Sequence, residues 1–392
     1  METAHKTDSE KEEFFDPEDI LDQKVDKFVE MLKSSNHFIA FTGAGISTSA
    51  GVPDFRSGVN TVLPTGPGCW EKLATKRKSD KKIVKTSVLK AMPTKCHMAL
   101  VQLERKGFLK YLVSQNVDGL HRRSEFEVNK LAELHGNTNL EICAKCKKKY
   151  MRDFRCRTSV NVFDHKTTRK CDNPACKGEL YDSIINFGES LPKEELHESF
   201  AHAKVADLCL AMGSSLRVTP AANIPELVGE RKKNLVIVNL QKTPLDKVAS
   251  LRVNAFCDVF IEKVMKKMDL EIPEFILTRR LSVKRTTINK KEGILFRGID
   301  IDNCPYTIYR SITVDYNNKP IKLKKEPLFF HDPFINFEKL ESFLVDLEFQ
   351  ENYGEQNFQM EIFLQSLKEE TEIKYLLEYS PRLGQWINCL KY

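Results

Sequence analysis

The stretch HFIAFTGAGISTSAGVPDFR, residues 37 to 56, decides the fold. HFIAF at 37 to 41 is a short, mainly apolar run of the kind a buried strand needs, and it ends directly in Thr42, Gly43, Ala44 and Gly45. Ile46 to Ala50 would then open a helix that stops near Gly51 and Pro53. A strand, a glycine turn and a helix start bring backbone N–H groups to one point, the layout that accepts a phosphate. A tight turn that binds nothing would use the same residues. The third glycine of a dehydrogenase fingerprint is misplaced, because Gly51 lies six residues beyond Gly45 instead of three.

Outward from this turn the pattern alternates. Leu21, Val25, Phe28, Val29 and Leu32 recur at helical spacing ahead of it. Behind it, Thr94 caps a helix running to about residue 106, Gly107 ends it, and FLKYLVS forms the next strand. ADLCLAM at 206 to 212 and NLVIVNL at 234 to 240 are further strands, separated by room for a helix. The expected fold class is therefore α/β, a doubly wound parallel Rossmann-like sheet.

Residues 141 to 180 break the alternation, being rich in Lys, Arg and Cys and poor in aliphatic residues. Cys143 and Cys146 are separated by two residues, Cys171 and Cys176 by four, with 24 residues between the pairs. Two thiol knuckles make a closed four-sulfur zinc site, structural rather than catalytic. Folding energy for such a segment comes from the metal, so chelation should unfold it. Cys156 and His165 lie between the pairs and offer alternative ligands.

Two further constellations carry chemistry. Gln115, Asn116, Val117, Asp118 and Gly119 follow the strand FLKYLV, at the end of a strand where ligands of open α/β sheets bind. Amide and carboxylate groups there suit a ribose and a carboxamide, although a polar turn uses the same residue types. His135, in Leu134-His135-Gly136, has the pKa range of a general base; an isolated histidine is more commonly structural.

After residue 272 helical spacing fades, and ILFRGIDI, YTIYRSITVDY, KLESFLVDLEF, FQMEIFLQ and IKYLLEY read as strands of a C-terminal β-rich domain, a sandwich by expectation. Trp386 and its aromatic neighbours are expected to fill its core. Hydrophobic residues are 41% and charged residues 30% of 392, with no apolar run long enough for a bilayer, so no membrane role is expected. Net charge is +6, from 61 basic against 55 acidic residues, too mild to imply nucleic-acid binding. Lys76, Arg77, Lys78, Lys81 and Lys82 form the sharpest basic cluster, a nuclear import signal, a phosphate-attracting patch or, as most such runs are, a solvated loop. The acidic start, METAHKTDSEKEEFFDPEDI, lacks a secretory pattern, and eleven cysteines then suit metal binding and free thiols in nucleus or cytoplasm.

GAGIST at 43 to 48, PDFR at 53 to 56, QNVDGLH at 115 to 121, LHGN at 134 to 137 and the four cysteines together resemble the sirtuin family in kind, order and spacing. GSSL at 213 to 216 and VNLQ at 238 to 241 resemble its later nucleotide-binding segments, so the likeness covers about residues 20 to 270. HMALVQLERKGFLKYLVSQNVDGLHRRS is most similar to the nuclear, chromatin-associated branch, whereas the insertion NTVLPTGPGCWEKLATKRKSDKK departs from it.

The resemblance implies an NAD-dependent protein lysine deacetylase or deacylase with structural zinc. Gly43, Ala44, Gly45 and Thr48 would hold the NAD phosphates and a ribose; Asp54, Phe55 and Arg56 belong to the cofactor loop, Phe55 shielding the reactive carbon. Asn116 and Asp118 would grip the carboxamide and Gln115 the ribose. Gly213, Ser214, Ser215, Asn239, Leu240, Gln241 and Cys257 would reach the adenosine side. The acyl oxygen of an acylated lysine would displace nicotinamide, and His135 would then act as base on the ribose hydroxyls, releasing lysine and O-acyl-ADP-ribose. Substrate backbone would add as a strand near Gly188 and Val218, with histone tails among the expected substrates.

The organisation implied is a polar leader over 1–19, an NAD-binding domain over 20–140 and 181–272, a zinc lobe over 141–180 and the β-rich domain over 273–392. That last domain is expected to dock either a chromatin or other protein partner or the catalytic lobe. Mono-ADP-ribosyl transfer uses the same site and is the rival enzyme reading. A catalytically weak chromatin scaffold is the rival from another class; intact Asn116, Asp118 and His135 argue against it.

Overall fold

The computed structural model describes residues 11–392 except 59, 70–86, 317, 336, 338–339, 365–366 and 368–369. The basic cluster at 76 to 82 lies outside the described residues. Two compact units emerge, one of residues 1–138 and 183–274, the other of 139–182 and 275–392.

The first unit is built on a six-stranded parallel sheet in the order β10-β9-β8-β1-β2-β3. Its strands are β1 (Phe38–Thr42), β2 (Leu109–Ser114), β3 (Leu131–Glu133), β8 (Leu208–Met212), β9 (Asn234–Val238) and β10 (Leu251–Val253). The chain walks outward from β1 in one direction through β2 and β3. It then returns to β8, on the other side of β1, and walks out through β9 and β10. That reversal between β1 and β8 opens a crevice at their carboxyl ends.

Alternation along β1 explains the double winding. Phe38 and Ala40 enter one core, with Phe28 of α1 (Glu18–Ser34), Leu100 of α2 (Lys95–Arg105) and Phe260 of α6 (Cys257–Lys267). Ile39 and Phe41 face the other core, with Ala203 of α4 (Lys193–Val205) and Ile224 of α5 (Asn223–Glu230). A one-turn helix, α3 (Leu120–Arg123), follows β2. All five predicted apolar positions of α1 are buried, each side chain contributing about 1.5–3 kcal/mol. Thr94 and His97 form the reciprocal cap that starts α2, and Gly107, at φ +77°, follows its end.

One local expectation changes. In place of a helix from Ile46 to Ala50, two short 3-10 turns occupy Ala44–Ile46 and Thr48–Ala50, ended by Gly51 at φ +81°. Thr48 Oγ1 donates to the Gly45 carbonyl at 3.0 Å, and the Ile46 and Ser47 N–H groups donate to the Gly43 and Ala44 carbonyls, so the segment stays tightly wound.

The second unit holds three sheets. Strands β4 (Leu140–Cys143), β5 (Lys149–Arg152), β6 (Lys166–Lys170) and β7 (Glu179–Asp182) carry the cysteines, and β13 (Tyr306–Thr307) completes that sheet by pairing in parallel with β5. Two antiparallel sheets follow. One runs β16 (Leu328–Phe330), β12 (Lys291–Ile299), β11 (Leu277–Ile288), β19 (Glu372–Ser380), β20 (Gln385–Lys391); the other runs β15 (Lys319–Leu323), β14 (Tyr309–Tyr316), β17 (Ser342–Phe349), β18 (Phe358–Phe363). Val283 and Phe296 of the first share one core with Val314, Phe343 and Leu347 of the second, as in a β-sandwich. Trp386 packs on it against Phe349, Phe358 and Tyr379.

Candidate active site

The turns after β1 and β8 touch. Gly45 N–H donates to the Gly213 carbonyl at 2.8 Å, and a Cβ on Gly45 would lie 2.6 Å from Gly213 Cα. Gly213 itself sits at φ +61°, a conformation that glycine adopts without steric cost. Only bare backbone permits this approach, and it brings Ser214 beside Gln115, whose Oε1 accepts from Ser214 Oγ at 2.7 Å.

Asn116 and Asp118 are buried in the same place. Asn116 Nδ2 donates to the Gly43 carbonyl at 3.1 Å, while Asp118 Oδ2 accepts from Ser47 Oγ at 2.7 Å and Oδ1 from Leu120 N–H at 2.9 Å. Ser47 was not singled out from sequence, although it lies within the GAGIST motif. Its hydroxyl fixes the Asp118 carboxylate.

His135 follows β3. Its Nδ1 lies 2.9 Å from the Gln115 carbonyl, which can only accept, so Nδ1 carries the proton and Nε2 presents its lone pair. Burial pushes the pKa of His135 down, against the pull of that hydrogen bond. The ring is therefore neutral at pH 7, the form a base requires.

The remaining predicted nucleotide residues line the same end of the sheet. Asn239 follows β9 and bonds through Nδ2 to the Gln241 carbonyl at 2.9 Å; Leu240 is buried between them. Cys257 begins α6, and its Sγ approaches the Val238 carbonyl at 4.0 Å. Gln241 is 7% exposed, yet its Nε2 is buried without a hydrogen-bond partner. A donor so placed fits a polar ligand at this edge. Arg56 is lowered to about 10 by burial and then by the charge of Arg217, an arrangement that an anion would relieve. Asp54 holds Ser57 through its carboxylate, and Phe55 is 42% exposed. Gly188 is at φ +91° with open space around it, beside the exposed Phe187, and Val218 is half-buried before α5.

In the second unit the four cysteine sulfurs lie within 4.8 Å of one another. The Cys143–Cys176 and Cys146–Cys171 pairs are each 3.6 Å apart, close to the roughly 3.8 Å edge of a tetrahedron with zinc–sulfur bonds of about 2.3 Å. The Cys146 N–H donates to Cys143 Sγ and pulls its pKa down to about 6, toward the thiolate a metal takes. Tyr150 OH reaches Cys171 Sγ at 3.1 Å. These residues fit zinc. Cys156 and His165 stand outside the cluster; His165 pairs with Asp182 at 3.1 Å.

The chain is similar in sequence to known proteins. A model of the Sir2 family matches residues 43–220. A rice protein named NAD-dependent protein deacetylase SRT1 is 40% identical over 80% of this chain, which spans 64% of the rice protein's length. The fruit-fly NAD-dependent protein deacetylase Sirt6 is 36% identical over 67% of this chain and 81% of its own. A solved structure of Sir2 with a p53 peptide and NAD+ is 31% identical, with TM-score 0.46, covering 62% of this chain and 98% of that one. On sequence identity sustained over four fifths of the fly relative, the chain belongs to the Sir2 family.

Proposed function

We propose that this protein is an NAD-dependent protein lysine deacylase, its reaction centre lying at the β1–β8 crevice. The observation that carries the reading is His135, neutral, with Nδ1 tied to the carbonyl of Gln115, the residue that opens the segment carrying Asn116 and Asp118, and Nε2 left to take a proton. NAD, consumed as co-substrate, supplies the ribose carbon that gives up nicotinamide and accepts the acyl oxygen.

The chain's own residues do the rest. Gly43, Ala44, Gly45 and Thr48 form the turn that faces the phosphates, with Arg56 adding positive charge. Asn116 and Asp118 orient the carboxamide, and Gln115 and Ser214 the ribose. Ser215, Asn239, Leu240, Gln241 and Cys257 bound the adenosine side, where Gln241 Nε2 gains a partner. Phe55 of the cofactor loop keeps water from the reacting carbon. His135 Nε2 removes the ribose hydroxyl proton that precedes acyl transfer, a role worth roughly 10²- to 10⁴-fold. The four cysteines would hold a structural zinc, which takes all four coordination positions from sulfur and leaves none for substrate. An acylated lysine enters with its backbone along Gly188 and Val218.

Nuclear residence and histone tails as substrates are proposed from the branch resemblance and the fly Sirt6 likeness. Docking of a protein partner by residues 273–392 is proposed on less, and cross-linking of the full chain in nuclear extract that captures nothing through that region would sink it. The main test is nicotinamide release from NAD, with and without an acetylated histone-tail peptide, for wild type and His135→Ala. Release that needs the peptide, with O-acetyl-ADP-ribose that needs His135, supports deacylation. NAD consumed without peptide, with ADP-ribose accumulating on protein, favours ADP-ribosyl transfer, and no turnover favours a scaffold.

A further inference from the structure

Glu133 is the last residue of β3, 9% exposed, two positions before His135, and no part of the proposed chemistry uses it. Its Oε1 accepts from Asn137 Nδ2 at 2.8 Å, and its carbonyl accepts from Gly136 N–H at 2.8 Å. The two bonds bracket His135 inside a four-residue turn. Asn137 is clasped again by Ser183, whose Oγ accepts from Asn137 N–H and donates to its carbonyl, both at 3.0 Å. Gly119, at φ +71°, lets Asn137 approach, since a Cβ there would lie 3.1 Å from Asn137 Oδ1. His135's own carbonyl accepts from Ile185 N–H at 3.0 Å. Glu133 thus places an ionisable side chain in the hydrogen-bonded turn that carries the base.

A carboxyl is an expensive choice for this position. Burial pushes the pKa of Glu133 up to about 7; Arg122 pulls it down, Glu195 pushes it up, Asn137 lowers it and Asp118 raises it. Arg122 on α3 is its cationic neighbour, and Glu195 on α4 takes the Glu133 N–H at 3.0 Å through its own carboxylate. An apolar side chain here would leave the buried Asn137 Nδ2 without this acceptor, whereas an amide would keep the bond and lose the charge. A carboxyl with a perturbed pKa beside a proposed reaction centre points to use in the reaction.

We propose that Glu133 is a positioning residue for His135: its ionised carboxylate, acting through Asn137, holds the His135 turn so that Nε2 faces the ribose hydroxyl. The inference rests on the deacylase reading. Protonated, Glu133 is a weaker acceptor and the Asn137 bond slackens. His135 is itself driven below its usual range, so the acid limb of the deacylation profile near pH 7 belongs to Glu133. Nicotinamide departure precedes any work by His135 and does not need the turn held.

The test uses the full-length protein and Glu133→Gln, which keeps shape and loses charge. Exchange of labelled nicotinamide into NAD, with acetylated peptide present, reads the first step; O-acetyl-ADP-ribose formation reads the second. For Glu133→Gln, exchange is expected within about twofold of wild type and product kcat down about tenfold. The limb near pH 7 should be lost and the melting temperature at pH 8 not lowered. An exchange rate falling in parallel with kcat, or a limb that survives in the variant, overturns the proposal. Histidine-labelled protein gives a reading independent of turnover, with the His135 ring signal assigned by His135→Ala. That signal should show an inflection near pH 7 in wild type and none in Glu133→Gln. Absence of the inflection in wild type overturns the proposal even if deacylation is found, whereas a wild type that shows it without turnover sinks the deacylase reading alone.

Discussion

The parallel sheet of the first unit and the cysteine-bearing sheet of the second reach order by different means. The first packs two large apolar cores on the faces of one sheet, and its polar residues are freed to gather at the strand ends. In the second, the cysteine-bearing sheet has two small cores, one of Cys143, Tyr150, Cys171 and Leu180 with Cys176 against it and one of Leu140, Met151 and Cys304, and leans on charge. Glu141, fully buried, accepts from Arg152 at 2.8 Å and from Arg169 at 2.7 Å. Arg279 of β11, also buried, pairs with both Asp153 and Glu355. Where apolar side chains are scarce, metal and ion pairs take over the work of holding strands together, and each then becomes a single point of failure.

Metal removal is the harshest way to probe this contrast. Chelation should cost the second unit on the order of 10 kcal/mol. Amide exchange should then rise over residues 140–182, while β1 and β8 keep their protection. Loss of protection in β1 at the same chelator concentration would break the contrast.

Arg279→Ala comes next. It strands two buried carboxylates and should lower the stability of the second unit by about 3–5 kcal/mol, read by denaturant unfolding. Adding Asp153→Leu and Glu355→Leu should recover part of the loss; no recovery would mean the arginine serves by packing alone.

Gly213→Ala acts on the first unit. The new Cβ would meet Gly45 Cα at 2.7 Å in a left-handed backbone, so about 1–3 kcal/mol should be lost together with NAD affinity, measured by calorimetry. Unchanged affinity would remove the touching turns from the nucleotide site.

The smallest effect is in pH dependence, where the units should differ in sign. Glu133 has its pKa raised to about 7, so its contribution is complete below the unfolded value and is lost as pH rises through 7. Glu348 of β17 is lowered to about 2, chiefly by Lys322 and Ser311, so its contribution is present above its unfolded value and is lost as pH falls toward 2. Glu348→Gln should cost no more than about 1 kcal/mol at pH 7 after solvent screening, and nothing at pH 2. An equal cost at both would assign the residue a packing role.

What could be read from sequence follows the same division. Apolar periodicity exposed α1, β1, β2, β8 and β9, because each buries a face and local spacing records it. Gly43–Gly45 and the residues around Asn116 were legible because strand ends carry short contiguous motifs. Ser47 and Glu133 escaped notice, since their role depends on partners brought in by folding, Asp118 for one and Asn137 for the other. In the second unit β17 and β19 were readable by alternation, but β11 was hidden by Arg279, Arg280, Lys284 and Arg285, which look solvent-facing. That Arg279 turns inward depends on Asp153 and Glu355, 126 and 76 residues away. No local pattern encodes that. Strand β20 carries mostly exposed side chains and lacks the alternation that would announce it.

The short strand β13 has a consequence for how the protein is made. It pairs with β5, and Arg152 bonds Thr307 Oγ1 at 2.6 Å, yet β13 is synthesised roughly 150 residues after β5. At about 5–20 residues per second, the edge of β5 waits on the order of ten seconds or more on the ribosome before its neighbour emerges. An open edge is a template for pairing with another chain. Newborn chains of this protein are thus expected to need a chaperone, or early zinc capture, at the cysteine sheet, and chains stalled before residue 306 should be cut there first by added protease.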